Sequence, residues 1–193
     1  MKSCWRKEDF IVNCTTASSP SHKEAAVIKR ETDRQETRGQ EKLRILVSAC
    51  LLGENCKYSG GSNRDETVLM WKTKLEQEKK AEFIPICPEV AGGLSTPRTP
   101  AEIRGERVVT RDGRDVTAEY EAGAEEALAL SGKHGCRYAV LKERSPSCGS
   151  GTVYDGSFSG TLTAGDGIAA ALLKKNGVMV VGESQAQKLF EIL

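Results

Sequence analysis

The 193-residue chain has the length of one ordinary domain and can bury a core without disulfide or metal staples. Its 38% hydrophobic content with only 5% aromatics calls for an aliphatic core, and a net charge of +1 excludes the basic footprint that capture of long nucleic acid needs. No apolar run reaches the length of a membrane span, and the start MKSCWRKEDFIVNC lacks the apolar stretch of a signal peptide, so a cytoplasmic protein without a membrane partner is expected.

Residues 1–43 are polar, charged and short of large apolar side chains. They predict a disordered or loosely helical extension, with the folded domain over residues 44–193. Cys4 and Cys14 fall in the extension, and no role is expected for them. From Arg44 the texture changes. RILVSAC is a short continuous apolar run, the mark of a strand buried on both faces. A loop follows, then ETVLMWKTKLEQEKK, in which Val68, Leu69 and Leu75 keep helical spacing. Residues Glu82 to Ile86 predict a second strand. GERVVTRDGRDVT predicts a hairpin or short excursion with Arg-Asp-Gly-Arg as its turn.

Thr117 is the expected N-cap of a helix running from Ala118 to about Lys133, with Tyr120, Ala124, Ala127 and Leu128 on one face. RYAVLK predicts the third strand. A Gly-rich loop with a small hairpin leads to a helix over Ile168 to Asn176, started by Asp166 or its neighbours. VMVVG predicts the fourth strand, and Ser184 is the expected cap of a last helix. Strands alternate with amphipathic helices, so the fold class is α/β: a single compact domain, a mostly parallel sheet and helices on both faces. Such sheets bind ligands beyond the carboxyl ends of their strands.

That edge is where cysteines collect. Cys50 ends the first predicted strand, Cys87 the second, and Cys148 follows the third in LKERSPSCGSG. Taken singly, Cys148 can be a buried small residue, half of a disulfide, a nucleophile or a metal ligand. In a reducing compartment a metal or catalytic role is favoured over disulfides. No CxxC pair of the usual zinc pattern is present. Three thiolates from three loops can hold three irons of a [4Fe–4S] cluster and leave the fourth open. Gly53, Gly92, Gly93, Gly149 and Gly151 in these loops are expected to allow close backbone approach and to expose N–H groups toward sulfur. Cys56, six residues after Cys50, is a candidate fourth ligand, a residue beside the cluster, a persulfide carrier or a passive side chain. Cys136 reads as a buried small residue.

Glu89 is a candidate general base or acid, and Ser145 a candidate hydrogen-bond donor or proton relay. Arg98 reads equally as a partner for an anionic or carbonyl group and as a solvated loop residue. Lys142 and Arg144 read as structural charges. SGGSN (59–63) and AGDG (164–167) are weak candidates for anion cradles at helix N-termini. Neither matches a nucleotide-binding fingerprint, and no motif for NAD, flavin or ATP is present.

Several stretches resemble one known family when taken together: VSACLLGENCKYSGGSN, PICPEVAGGLSTPR, DGRDVTAEY and VLKERSPSCGSGTVYDGSFSGTLTAGDGIAAALLKKNG. They are similar to the bacterial TudS-type thiouracil desulfidases, long known only as a domain of unknown function. The likeness runs from about Arg44 to Glu183 and leaves the extension outside it. It implies a Rossmann-like sheet, a [4Fe–4S] cluster held by Cys50, Cys87 and Cys148, and catalytic roles for Glu89 and Ser145.

The function expected from these residues and this resemblance is hydrolytic, non-redox removal of sulfur from a thiolated nucleobase such as thiouracil. The open iron would bind the substrate sulfur and Glu89 would activate water. The partner is then a small thiolated heterocycle. A reading from another class is a non-catalytic metal or iron–sulfur module that senses redox or iron state, with Cys56 filling the fourth position. A metal-free enzyme with Cys148 as nucleophile is weakened by the lack of a suitable His.

Overall fold

A computed structural model describes residues 42–193. The expected extension therefore lies outside the described residues except at its end, where Leu43 already belongs to the first strand. Four strands build the main sheet: β1 (Leu43–Ser48), β2 (Ala81–Ile86), β5 (Tyr138–Leu141) and β8 (Met179–Gly182). Their order is β2-β1-β5-β8, and all three pairings are parallel. β1 lies between two neighbours and is covered on both faces, which is why RILVSAC is apolar throughout. Ile45, Leu46 and Val47 are wholly buried, and side chains of this size contribute about 1.5–3 kcal/mol each on burial.

On one face lie α1 (Glu66–Gln77) and α5 (Ala186–Ile192). Val68 and Leu75 of α1 pack with Phe83 and Phe190, and the Phe83 and Phe190 rings meet edge to face at 5.6 Å. On the other face α3 (Thr117–His134) and α4 (Ile168–Lys175) bring Ala124, Ala127, Ala169, Ala170 and Leu173 onto Leu46, Ile84, Ala139 and Leu141. β2 lies to one side of β1, and β5 and β8 to the other. The chain therefore reverses direction at β1, and such a reversal opens a crevice beyond the carboxyl ends of the strands. The fold is the α/β domain expected, with helices on both faces. Among the described residues no helix is long and apolar enough to cross a membrane.

Several local details differ from the expectations. Asp65 caps α1 through Val68 N–H at 2.9 Å. Thr117 does not cap α3. It is the first residue of that helix, and its Oγ1 accepts the Val108 N–H while Asp115 accepts from the Thr117 N–H. The helix α4 starts as expected beside Asp166, with the neighbouring Gly167 as its N-cap, while Asp166 itself holds Gly151 N–H and the Lys174 ammonium. Ser184 donates to Glu143 and lies in a 3-10 turn ahead of α5. β3 (Ala101–Arg104) and β4 (Arg107–Thr110) form a hairpin that turns at Gly105, where φ is +61°. The Arg-Asp-Gly-Arg segment is a second turn, after β4, closed by Thr110 and Arg114. β6 (Thr152–Tyr154) and β7 (Leu162–Ala164) form the other hairpin.

Candidate functional site

Three adjacent strands, β2, β1 and β5, each lead to a cysteine just beyond their carboxyl ends: Cys87, Cys50 and Cys148. All three line one cavity of about 670 Å³, together with Cys56, Glu89, Arg98, Tyr120 and Ser145. Each cysteine is held by a different device. Cys50 sits in a 3-10 turn (Ala49–Leu52) that ends at Gly53, whose φ of +98° suits glycine. Asn63 Nδ2 approaches its sulfur at 3.6 Å. Cys87 is the N-cap of the short helix α2 (Pro88–Ala91), with Pro88 at the first helical position where a missing N–H costs nothing.

Cys148 lies in a loop tied to the start of α4. Ile168 N–H donates to Pro146 O at 2.9 Å, Ala169 N–H to Ser147 O at 3.0 Å and Gly167 N–H to Gly149 O at 2.8 Å. A β-carbon on Gly167 would fall 2.5 Å from the Ser147 carbonyl. AGDG is thus the clamp of the SPSC loop, not an anion cradle; its Gly165 and Gly167 N–H groups are taken by the Gly151 and Gly149 carbonyls. SGGSN contributes Asn63 to Cys50 instead.

The thiols differ in character. The Cys56 thiol interacts with Cys50 and Cys87. This holds Cys50 below its ordinary value, takes Cys87 down to about 7, and drives Cys56 itself far up. Burial pushes the Cys148 thiol up, opposed by the Ser48 hydroxyl, which donates to its sulfur. Ser48 Oγ also accepts the Lys142 N–H at 2.9 Å, joining the ends of β1 and β5. Among the described residues no three His, Cys, Asp or Glu side chains converge on a single metal ion. A soft sulfur set spread around a cavity suits an iron–sulfur cluster better than one isolated ion.

Glu89, on α2, is built into a network. Arg98 Nε donates to its Oε2 at 2.8 Å, and Ser145 Oγ donates to its Oε1 at 3.3 Å. The Tyr120 phenol on α3 faces the same carboxylate. Burial first, and then Glu89, push that phenol up. Arg98 is no solvated loop residue: its side chain is 7% exposed. It also donates to Cys56 O at 2.9 Å and Ser95 O at 3.1 Å. Ser145 Oγ accepts the N–H groups of Ser147 and Cys148 at 3.1 and 3.2 Å, so its proton is free to point at Glu89.

Lys142 pairs with Glu183, and both line the cavity. Arg144 lines it too, exposed, with φ at +64°. Cys136 is 6% exposed in the core. His134 is not among the cavity's lining residues. Cys4, Cys14 and His22 lie outside the described residues. Gly92 does not aim its N–H at sulfur; its N–H bonds to Pro88 O, and its missing side chain lets α2 touch α3. The sequence reasoning overlooked Tyr120, read only as a face of α3, and Phe158, which lines the cavity from the β6–β7 turn. Neither carries a local sequence signal for its place at the site.

A family model described as 2-thiouracil desulfurase matches residues 45–185. A Bacillus subtilis (strain 168) protein described as uncharacterized protein YbbK is 44% identical over 151 residues, which is 73% of this chain and 96% of that protein. Among solved structures, a [4Fe-4S]-dependent thiouracil desulfidase, TudS, is similar with a TM-score of 0.69 and 49% identity. That match covers 77% of this chain and 95% of that one.

Proposed function

The chain belongs to the 2-thiouracil desulfurase family, and from that membership we propose that it is an enzyme that removes sulfur from a thiolated pyrimidine of the thiouracil type. Cys50, Cys87 and Cys148 would hold the [4Fe–4S] cluster the reaction uses. The observation that carries this reading is one cavity lined by Cys50, Cys87 and Cys148, by the Glu89 carboxylate and by the Ser145 hydroxyl bonded to that carboxylate. The donor set fits the cluster: three soft sulfurs on three loops, two of them with hydrogen-bond donors at the sulfur, Asn63 and Ser48.

When bound, a cluster with one iron free of protein ligands supplies a soft Lewis acid for the thiocarbonyl sulfur. The chain's own groups supply the rest. Arg98 and Ser145 fix both oxygens of Glu89, so the carboxylate is oriented before substrate arrives. Glu89 Oε1 takes a proton from water as the water oxygen bonds to the carbon that carries sulfur. Ser145 Oγ, fixed by two backbone N–H groups, holds the proton position beside Glu89. The carbon–sulfur bond breaks, a carbonyl replaces the thiocarbonyl, and sulfur and the water protons leave as hydrogen sulfide. No electron changes hands, so no nicotinamide or flavin is needed.

The five free cysteines among the described residues suit a reducing, cytoplasmic compartment. The reading is tested by purifying the protein without oxygen and measuring iron, acid-labile sulfide and conversion of 2-thiouracil to uracil. Roughly four irons per chain, with turnover, supports it. No iron after reconstitution, or turnover that survives Cys148→Ser with the cluster lost, overturns it.

A further inference from the structure

The turn between β6 and β7 closes one side of the cavity, and Phe158 at its tip lines the same space as the three sulfurs. Phe158 has φ +58°, a region where a side chain costs about 1 kcal/mol or more. The turn itself does not need a large residue there, since Gly156 and Gly160 on either side also have positive φ, +87° and +83°. A glycine at 158 would be the unstrained choice. The strain is held in place from the β3–β4 hairpin. Glu102, a carboxylate only 8% exposed, accepts the Phe158 N–H at 2.9 Å. Arg104 donates to Gly156 O through Nε and Nη2 at 3.1 and 2.7 Å. A β-carbon on Gly156 would lie 2.6 Å from Ile103 O, so the two hairpins are in backbone contact. The Arg104 and Arg111 guanidinium carbons stand 6.0 and 5.8 Å from the centre of the Phe158 ring.

We propose that Phe158 is the aromatic platform on which the planar ring of the substrate stacks, an inference that rests on the thiolated-pyrimidine reading above. A strained backbone kept by a buried carboxylate, with the ring steadied by two cations, is an arrangement for presenting that ring in one orientation. A thiolated pyrimidine is flat and uncharged, and its polar groups all lie on the ring edge. Its π-face is available to an aromatic side chain whatever substituents the ring edge carries. Because the ring is fixed beforehand, little conformational freedom is lost when the substrate arrives. Phe158 therefore acts on recognition of the heterocycle, while Glu89 and Ser145 act on the bond.

The test uses cluster-loaded enzyme purified without oxygen, as wild type and as Phe158→Gly, Phe158→Leu and Phe158→Trp. Four quantities are read: iron per chain, melting temperature, KM and kcat for 2-thiouracil, and the Kd of uracil by calorimetry. Uracil has no sulfur, so its binding reports ring recognition apart from the chemistry. Glycine removes the ring and relaxes the backbone. Leucine keeps apolar bulk without a π-face. Both are expected to raise KM and the uracil Kd about tenfold or more, the range of base–aromatic stacking. The loss falls on KM more than on kcat, iron stays at the wild-type level, and tryptophan restores binding. Unchanged KM and Kd in both Phe158→Gly and Phe158→Leu overturn the proposal. So does a loss of iron or melting temperature that accounts for the whole effect, which marks a structural role. If wild type itself turns over no thiolated pyrimidine, the functional reading fails first and the proposal falls with it.

Discussion

Arg98 joins the carboxylate of Glu89 to the loop that carries Cys56: Nε donates to Glu89 Oε2 at 2.8 Å, and Nη2 donates to Cys56 O at 2.9 Å. The pair is shielded, with side chains 7% and 14% exposed. Removing one partner of such a pair leaves the other charge buried alone, which costs about 3–5 kcal/mol. Arg98→Gln is therefore expected to lower the melting temperature by roughly 10 °C at about 2–4 °C per kcal/mol. It also loses turnover as Glu89 drifts. Arg98→Lys does not rescue it, because one ammonium cannot copy a planar fork that also reaches Ser95 O and Thr96 Oγ1. Thermal unfolding beside a turnover assay checks both points. A lysine variant with wild-type stability and rate sinks the argument.

Ser145 does two jobs with one oxygen. It satisfies two backbone N–H groups of the Cys148 loop and donates to Glu89. Ser145→Ala is expected to lower kcat by about 10²–10⁴-fold, the size of a positioned proton-transfer group. It also leaves two N–H groups unpaired, at about 1–3 kcal/mol each where they are shielded from water. Glu89→Gln is expected to lose the rate too, but it leaves the Arg98 charge unpaired and is no stability reference for the loop. Comparing kcat, iron content and melting temperature of Ser145→Ala with those of wild type separates the chemical role of Ser145 from its structural one. A Ser145→Ala melting temperature equal to that of wild type counts against the double role.

The sheet was legible because its strands announce themselves. RILVSAC and RYAVLK are apolar without alternation, and only a strand covered on both faces needs that. The cysteines were legible for the same reason, since each follows such a run. The Glu89 network was only half legible. Arg98 and Tyr120 lie 9 and 31 residues from Glu89 in sequence, and no periodicity connects a loop and a helix face to a carboxylate elsewhere. Glycines were misread in purpose. Gly92 and Gly167 looked like N–H donors toward sulfur or an anion, but the space their missing side chains leave is filled by backbone. Phe158 escaped notice because a single aromatic in a Ser/Gly turn has no pattern to belong to.

Helices α2 and α3 touch backbone to backbone at two glycines. A β-carbon on Gly123 would stand 1.9 Å from Pro88 O, and one on Gly92 would stand 1.9 Å from Glu119 O. Since α2 carries Glu89 and begins at Cys87, any added atom must push the site. Gly123→Ala is expected to lower both stability and iron per chain, although alanine favours helix. Gly132→Ala, in the same helix with nothing within 4 Å of its added carbon, is expected to stabilise by about 0.5–1 kcal/mol. The opposite signs of the same substitution on one helix, read by chemical denaturation, are the check. Stabilisation by both variants would falsify the close-contact argument.

Cys56 is the remaining sulfur at the site, and its position argues for a supporting role. Its thiol interacts with Cys50 and Cys87 at once, and its carbonyl oxygen lies 3.7 Å from Cys87 Sγ. Ligands of one cluster stand apart, each on its own iron. With Cys50 and Cys87 as the proposed ligands, the Cys56 thiol would donate its proton to them, and hydrogen bonds to ligand sulfur tune the reduction potential of a cluster. Cys56→Ser and Cys56→Ala are thus expected to keep the iron content of wild type, whereas Cys50→Ser, Cys87→Ser and Cys148→Ser lower it. Cys56→Ala, which removes the donor, shifts the potential to more negative values. Cys56→Ser, which keeps a donor, shifts it less. Iron analysis and a redox titration followed by electron paramagnetic resonance read these outcomes. Loss of one iron and a changed spectrum in both Cys56 variants would make it the fourth ligand, and an enzyme with every iron already held by the chain would have no free iron left for the substrate sulfur.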